Sequence, residues 1–348
     1  MKKRHIVLSL LGVMILGGIG SLLLERFLFP YFDFLAPNSP LVITRHEEIR
    51  ISEGVNFTEV ANRTKSSLAR VYVHEREFDS PRFRLIAEVT GVIASSDGLI
   101  AAPLPDLKTP GQLVTIIFDS EKVLRANLVA ADPLTGLSLL KVDAKDLSVL
   151  RQGFAREGDL GDRLIVVESQ APTIQSTVLS AFLPREPGLL PSLDKTYKFG
   201  QLNDPLETSI GIQEKYLGSA VMNKDAVLVG LVTRVGQEIM VVKSEDYKML
   251  LDNYFDDKKI VWPKLDLSYN FIGGALSTVL GFSKKYGILV RQAAEPLKSG
   301  DFIYRVDGKE ISPEEGFDRL ILPKSPGTKV RFDLIRDGKE IEIIHDLS

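Results

Sequence analysis

The chain has 348 residues, 44% of them hydrophobic, and 43 Lys and Arg against 46 Asp and Glu give a net charge of −3. That length fits two domains, or two plus an anchor, and the lack of a basic excess argues against nucleic acid, whose binding surfaces need clustered Lys and Arg. Zero cysteines exclude disulfides, thiolate metal sites and a cysteine nucleophile together, and the four His (His5, His46, His74, His345) are too scattered to suggest a metal site, so neither metal nor cofactor is expected.

Residues 1–5 are basic, and residues 6–24 run nineteen positions without a charge. At about 1.5 Å per residue this crosses most of a roughly 30 Å hydrocarbon core, which predicts a membrane-spanning helix. A cleaved signal peptide is the competing reading, because Lys2, Lys3 and Arg4 form a positive n-region; the apolar run is long for an h-region and no A-x-A site closes it. The Lys and Arg bias puts the N-terminus in the cytoplasm and the bulk of the chain outside it. Residues 1–26 are therefore read as cytoplasmic N-terminus and anchor, in a single-pass inner-membrane protein with a periplasmic globular part. Residues 27–54 are read as a juxtamembrane linker whose aromatics (Phe27, Phe29, Tyr31, Phe32, Phe34) suit a membrane interface or a contact between protomers.

From residue 57 to 68 the apolar spacing is helical, and 69–73 is a short β-type run. Short apolar runs between turn signals follow at 88–94, 99–102, 113–118, 124–131, 137–142, 163–167 and 177–182, a pattern of an all-β sandwich or barrel. One further helix is predicted at 244–254. Trp262-Pro263 then reads as a linker, since Pro removes a donor and stiffens the chain where periodicity stops. These signals divide the remainder into a β domain at 55–258, a linker at 259–264 and a second domain at 265–348.

Three segments in order carry a resemblance. Thr90-Gly91-Val92-Ile93 with Asp97-Gly98-Leu99-Ile100 is similar to G-S-G-V-I-x-x-x-D-G-Y-I; Asp132-Pro133-Leu134-Thr135-Gly136-Leu137-Ser138-Leu139-Leu140-Lys141-Val142 to D-P-x-T-D-L-A-L-L-K-V; and Gly218-Ser219-Ala220-Val221-Met222-Asn223 to G-G-A-L-V-N. Together they resemble the HtrA family of DegS- and DegP-like serine peptidases. The resemblance implies a mainly β fold: a chymotrypsin-like double β-barrel and a C-terminal α+β PDZ domain.

Such a peptidase needs a hydroxyl nucleophile, an imidazole to take its proton and a carboxylate to hold the ring tautomer. The family's register puts the imidazole position at Pro105, the carboxylate position at Gly136 and the nucleophile position at Leu217, so all three groups are replaced. Lys215 stands where the family has a Gly that turns backbone N–H groups toward the oxyanion, and Ser209 where it has an Asp. Ser219, Asp106, Ser138 and Asp132 lie close enough in sequence to be weighed as substitutes, and a Ser–Lys dyad with Lys215 or Lys224 stays open. No His occurs between His74 and His345.

In the last domain, Leu297-Lys298-Ser299-Gly300-Asp301-Phe302-Ile303 resembles the PDZ signature L-x-x-G-D-x-I. PDZ domains receive a C-terminal peptide as an added strand, its carboxylate held by a loop. The resemblance implies Phe271, Ile272, Gly273 and Gly274 for that loop, residues 275–279 for the receiving strand edge, and Phe317 and Leu320, on a groove helix at 313–322, for the side pocket; core packing is the equally weighted role for Ile272 and Phe317. The expectation is a catalytically inactive, membrane-anchored scaffold or regulator that binds extended or C-terminal peptides, as a homo-trimer or beside an active HtrA. The rival is an active HtrA-type endopeptidase with an unrecognised catalytic arrangement, and a third reading is a structural component with a blocked groove.

Overall fold

The computed structural model describes residues 14, 17, 18, 53–76, 82–107, 111–155, 162–169, 174–181, 196–202, 205–208, 212–313 and 315–348. Apart from positions 14, 17, 18, 53 and 54, the expected membrane span and juxtamembrane linker lie outside the described residues, among which no helix is long and apolar enough to cross a membrane. The chain divides into two compact units, Met1–Ile51 and Ser52–Ser348, and the second carries all the described strands.

Helix α1 (Glu53–Lys65) leads into β1 (Leu68–Arg76), where every second residue is buried. The same period of two, which sends alternate side chains to opposite faces, runs through β4 (Gln112–Phe118) after β2 (Phe83–Ile93) and β3 (Leu99–Ala102). With β5 (Val123–Asp132) and β6 (Leu137–Lys141) these strands close a barrel in the order β1-β2-β3-β6-β5-β4. Its interior is filled by Val71, Val73, Ile93, Ile100, Ile116 and Leu140, each no more than 2% exposed. Closure removes the sheet edges that would otherwise have to be covered.

The second half of the β domain contributes β7 (Arg163–Val167) and β8 (Ile174–Ala181), then, after β9 (Tyr197–Lys198), β10 (Glu207–Thr208), β11 (Ala220–Met222), β12 (Leu228–Val235) and β13 (Glu238–Lys243). Their sheet runs β10-β8-β7-β11-β12-β13. It curls until Leu206, beside β10, donates its N–H to the Val241 carbonyl of β13 at 2.9 Å. Helix α2 (Ser244–Asp257) then lays Tyr247, Leu250 and Leu251 on the seam between the halves, with Leu139, Ile165, Met222 and Leu231.

The last domain holds β14 (Leu267–Ile272), helix α3 (Gly274–Val279), β15 (Gly287–Ala293), β16 (Phe302–Val306), β17 (Lys309–Glu310), helix α4 (Phe317–Ile321), β18 (Lys329–Arg336) and β19 (Lys339–Asp346). Its seven-stranded sheet runs β19-β18-β16-β15-β14-β9, with β17 paired to β16. One strand is foreign: β9 comes from the β domain, between β8 and β10. The connection at 259–264 is also firmly held. The Asn253 amide both donates to and accepts from the backbone of Val261, at 2.9 Å each way, and the Trp262 indole N–H donates to Asp132 at 2.7 Å.

Candidate functional site

A crevice lies between the two halves of the β domain and is lined by Pro105 and Leu217, two of the three positions that the resemblance marks. A cavity of about 510 Å³ is walled by Pro103, Leu104, Pro105, Asp106, Leu217, Glu214 and Arg234, and by strand β2 residues including Glu88 and Val89. Pro105 and Leu217 therefore face one space, as the aligned segments require. Gly136 stands behind it against the backbone of Arg234: a Cβ there would lie 2.0 Å from the Arg234 carbonyl oxygen and 3.0 Å from Thr233 Oγ1. Its φ of +69° is also left-handed, which a side chain adopts only at a cost. Backbone therefore leaves no room for a side chain at Gly136.

Leu217 is 9% exposed and packs in the barrel core with Tyr216, Val89 and Leu104. The 3₁₀ turn Glu214–Tyr216 precedes it, and the Leu217 N–H donates back to the Glu214 carbonyl at 3.0 Å. An oxyanion site needs that N–H pointed at the reacting oxygen; here the turn uses it. Gly218, at φ +84°, must stay bare, because a Cβ would lie 1.7 Å from the Thr90 carbonyl oxygen. The Arg234–Glu214 ion pair borders the crevice.

Of the neighbours weighed as substitutes, Asp106 lies on the crevice wall, while the others are engaged elsewhere or face away. Asp132 is 1% exposed and its carboxylate accepts from the Leu134 and Thr135 N–H groups, the Thr135 hydroxyl and the Trp262 indole. It is the hub of a buried turn. Ser138 donates its hydroxyl to the Leu104 carbonyl at 2.7 Å. Ser219 is fully buried, off the crevice wall, and its Oγ meets no hydrogen-bonding group among the described residues. Lys215 lies over the Tyr216 ring at 4.8 Å, and Lys224 lines a different surface hollow. His74 lies on β1 with its ring stacked toward Tyr72, while its neighbour Val73 faces the crevice. Among the described residues the wall thus carries Glu88, Asp106, Gln112, Glu214 and Arg234, but no hydroxyl and no imidazole. Ser209 lies outside the described residues.

In the last domain the structure moves the expected groove. Residues 275–279 are not a strand; they belong to helix α3, whose spacing of Leu276, Val279 and Leu280 is that of a helix and whose start is opened by Gly274 at φ +52°. Phe271 and Ile272 end β14 instead. Ile272 is fully buried against Phe302 and Tyr304, the Phe271 ring lies 6.3 Å from that of Tyr286, and a Cβ on Gly273 would press on Tyr286 at 2.7 Å. These four residues pack; no open strand edge follows them. The sheet face beside the helix is formed by β14 itself. Phe317 of α4, 2% exposed, meets the Tyr269 ring at 5.2 Å, and Leu320 is half-buried on the same cluster. Sequence reasoning missed Leu267, Ser268 and Tyr269; their alternation from 265 to 272 was the available signal.

The free edge of β14 is paired by β9: Ser268 faces Lys198 and Tyr269 faces Tyr197, antiparallel, and Phe199 donates its N–H to the Leu267 carbonyl at 3.0 Å. Tyr197, 9% exposed, lies 5.7 Å ring to ring from Tyr269, and Phe199 meets Phe317 edge-on at 6.1 Å. Helix α4 is tied to the β domain as well, since Arg319 donates two hydrogen bonds to Asp246 of α2, at 2.9 and 3.0 Å.

Comparison with known proteins agrees with this architecture. A PDZ-domain profile matches residues 286–345. The chain is 24% identical over 282 residues to a probable periplasmic serine endoprotease of DegP-like type from Chlamydia trachomatis, covering 77% of this chain and 55% of that protein. A protein of the same description from Halomonas elongata is 24% identical over 264 residues, covering 72% and 54%. The chain spans about half the length of these curated relatives. Among solved structures, the HtrA-type protease AlgW with a tripeptide matches with a TM-score of 0.61 at 19% identity, over 84% of this chain and 96% of that one. The serine endoprotease from Yersinia pestis matches at 0.51 and 18%, over 84% and 97%. The last domain is thus matched by a PDZ profile, and the chain as a whole is similar in sequence and domain order to DegP-like proteins and shares the fold of HtrA-type proteases, a trypsin-like serine protease fold with a C-terminal PDZ domain.

Proposed function

We propose that this HtrA-family chain is a pseudoprotease, a peptide-binding scaffold or regulator that has kept the protease frame without its chemistry. The observation that carries the reading is Leu217: a buried leucine at the nucleophile position, its N–H used by the preceding turn, beside a wall with neither hydroxyl nor imidazole. Nucleophilic acyl transfer needs both groups within about 3 Å of each other. Binding is assigned to the PDZ domain, in the groove between β14 and α4, where an extended peptide pairs with the sheet edge and sets side chains against Phe317. AlgW structures hold peptides, and the curated relatives are described as periplasmic. With the apolar run at 6–24, those descriptions favour a membrane-tethered chain whose globular part lies outside the cytoplasm.

Two assays separate the readings. Purified full-length protein should fail to cleave unfolded casein and fail to label with a fluorophosphonate probe, which reacts with an activated serine alone. Labelling lost on Ser219→Ala would establish the active-peptidase alternative instead. Peptide binding is tested separately by screening C-terminal peptides against the same protein.

A further inference from the structure

The strand seated on β14 has the geometry of a ligand. An added peptide in a PDZ groove runs antiparallel to the receiving strand, exchanges backbone hydrogen bonds with it and turns alternate side chains toward the helix. Thr196, Tyr197, Lys198 and Phe199 do all three: Tyr197 and Lys198 pair with Tyr269 and Ser268, Phe199 bonds Leu267, and Tyr197 and Phe199, two residues apart, pack on Tyr269 and Phe317 while Lys198 is exposed. After Phe199 the chain leaves the edge through Gly200 at φ +74°. The segment is supplied by the β domain, from the connection between β8 and β10. Among the described residues, no strand of the β domain pairs with it.

We propose that Thr196–Phe199 is a built-in, displaceable occupant of the PDZ groove, so that an external peptide binds only when this strand leaves. The inference rests on the peptide-binding reading of that groove. A two-residue strand makes few backbone bonds and holds its place through effective concentration, since both ends are tethered to the domain that Arg319 and Asp246 keep beside the groove. The groove's apparent affinity is lowered by the fraction of molecules in which it is filled. The incoming partner it fits is an extended peptide with apolar aromatic residues two apart, able to repeat what Tyr197 and Phe199 do.

The experiment uses the full chain in detergent and a fluorescent peptide of sequence Asp-Lys-Thr-Tyr-Lys-Phe with a free carboxylate. The pair Lys198→Cys and Ser268→Cys, placed in a chain with no cysteine, should form a disulfide without peptide, seen as a mass loss and gel shift. Its oxidised form should bind the probe at least tenfold more weakly than its reduced form. The pair Tyr197→Ala and Phe199→Ala should bind at least tenfold more tightly than wild type. Failure of the disulfide to form would remove the strand from the groove and overturn the proposal. Equal probe affinity in wild type, opened variant and oxidised variant would overturn gating while leaving peptide binding intact. A folded opened variant that binds neither the probe nor any member of a random C-terminal peptide library would overturn peptide binding too, making β9 a permanent strand of the sheet.

Discussion

The crevice at Leu217 and the groove at β14 are both shaped by residues of this chain, but by different means. The crevice stays open as a cavity of about 510 Å³, and the residues at its marked positions belong to the barrel core: Leu217 packs with Val89 and Leu104, and Gly136 rests on the Arg234 carbonyl. Changing them would mean unpacking the core. The groove is filled by a short strand on a tether, held by a few backbone bonds and two rings. Emptying it costs only the contacts of a two-residue strand. Core residues at the crevice and a tethered strand in the groove thus differ in kind: the first are part of folding, and the second, as we propose, is an equilibrium.

The strongest way to break that comparison is to attempt repair. Gly136→Asp should destabilise the protein by about 2–6 kcal/mol, summing a left-handed side chain with forced overpacking, as read by urea denaturation. A triple variant carrying Pro105→His, Gly136→Asp and Leu217→Ser that folded normally and cleaved casein would show the loss to be only side-chain deep. Next in size is the tie between the two regions. Arg319→Ala leaves the Asp246 carboxylate, 5% exposed at its side chain, without its bidentate partner, and breaking a buried pair in this way costs about 3–5 kcal/mol. If the tie steadies the groove's occupant, the same variant should raise probe affinity; unchanged stability and affinity would dissolve the link. Smaller again, Trp262→Phe removes one buried bond to Asp132, a change worth about 1–2 kcal/mol. Because Trp262 is the single tryptophan, its fluorescence should change in the same transition that unfolds the β domain.

The smallest effect is titration. Burial holds His345 on β19 below its ordinary value of 6.5, against a weaker opposing pull from Asp346. A depressed value means the folded state resists the proton that the unfolded chain accepts. The contribution to stability is therefore full above about pH 6.5 and is lost as pH falls through the lower folded value. His345→Gln should flatten that part of the stability profile while leaving casein and peptide assays unchanged.

Much of the frame was legible in the residues. Period-two runs announced the β domain, and the D-G, D-P-x-T and G-G-A-L-V-N matches pointed to Pro105, Gly136 and Leu217 in turn; Pro105 and Leu217 line one crevice and Gly136 backs on Arg234. Local pattern suffices there because a strand's burial is written in its own alternation. The groove was less legible. Leu276, Val279 and Leu280 carry a helical spacing, but over a stretch so short that the motif reading as a strand edge overrode it, and the α3 turn beginning at Gly274 decides for the helix. The linker at 259–264 was likewise read from a Pro and a break in periodicity, whereas Asn253, on the helix just before it, and Asp132, distant in sequence, clamp Val261 and Trp262.

What the sequence by itself determined was which residues stand at the three positions that the resemblance marks, since the identities of Pro105, Gly136 and Leu217 do not depend on where they fold. What only the tertiary structure decided was what surrounds them and the groove. That Asp132 is saturated by four donors, that the Leu217 N–H is turned inward, and that Thr196–Phe199 pairs with a strand some seventy residues later all depend on long-range contacts. A hydrogen bond between distant segments leaves no periodicity in either one, so it becomes visible only when the fold brings both partners together.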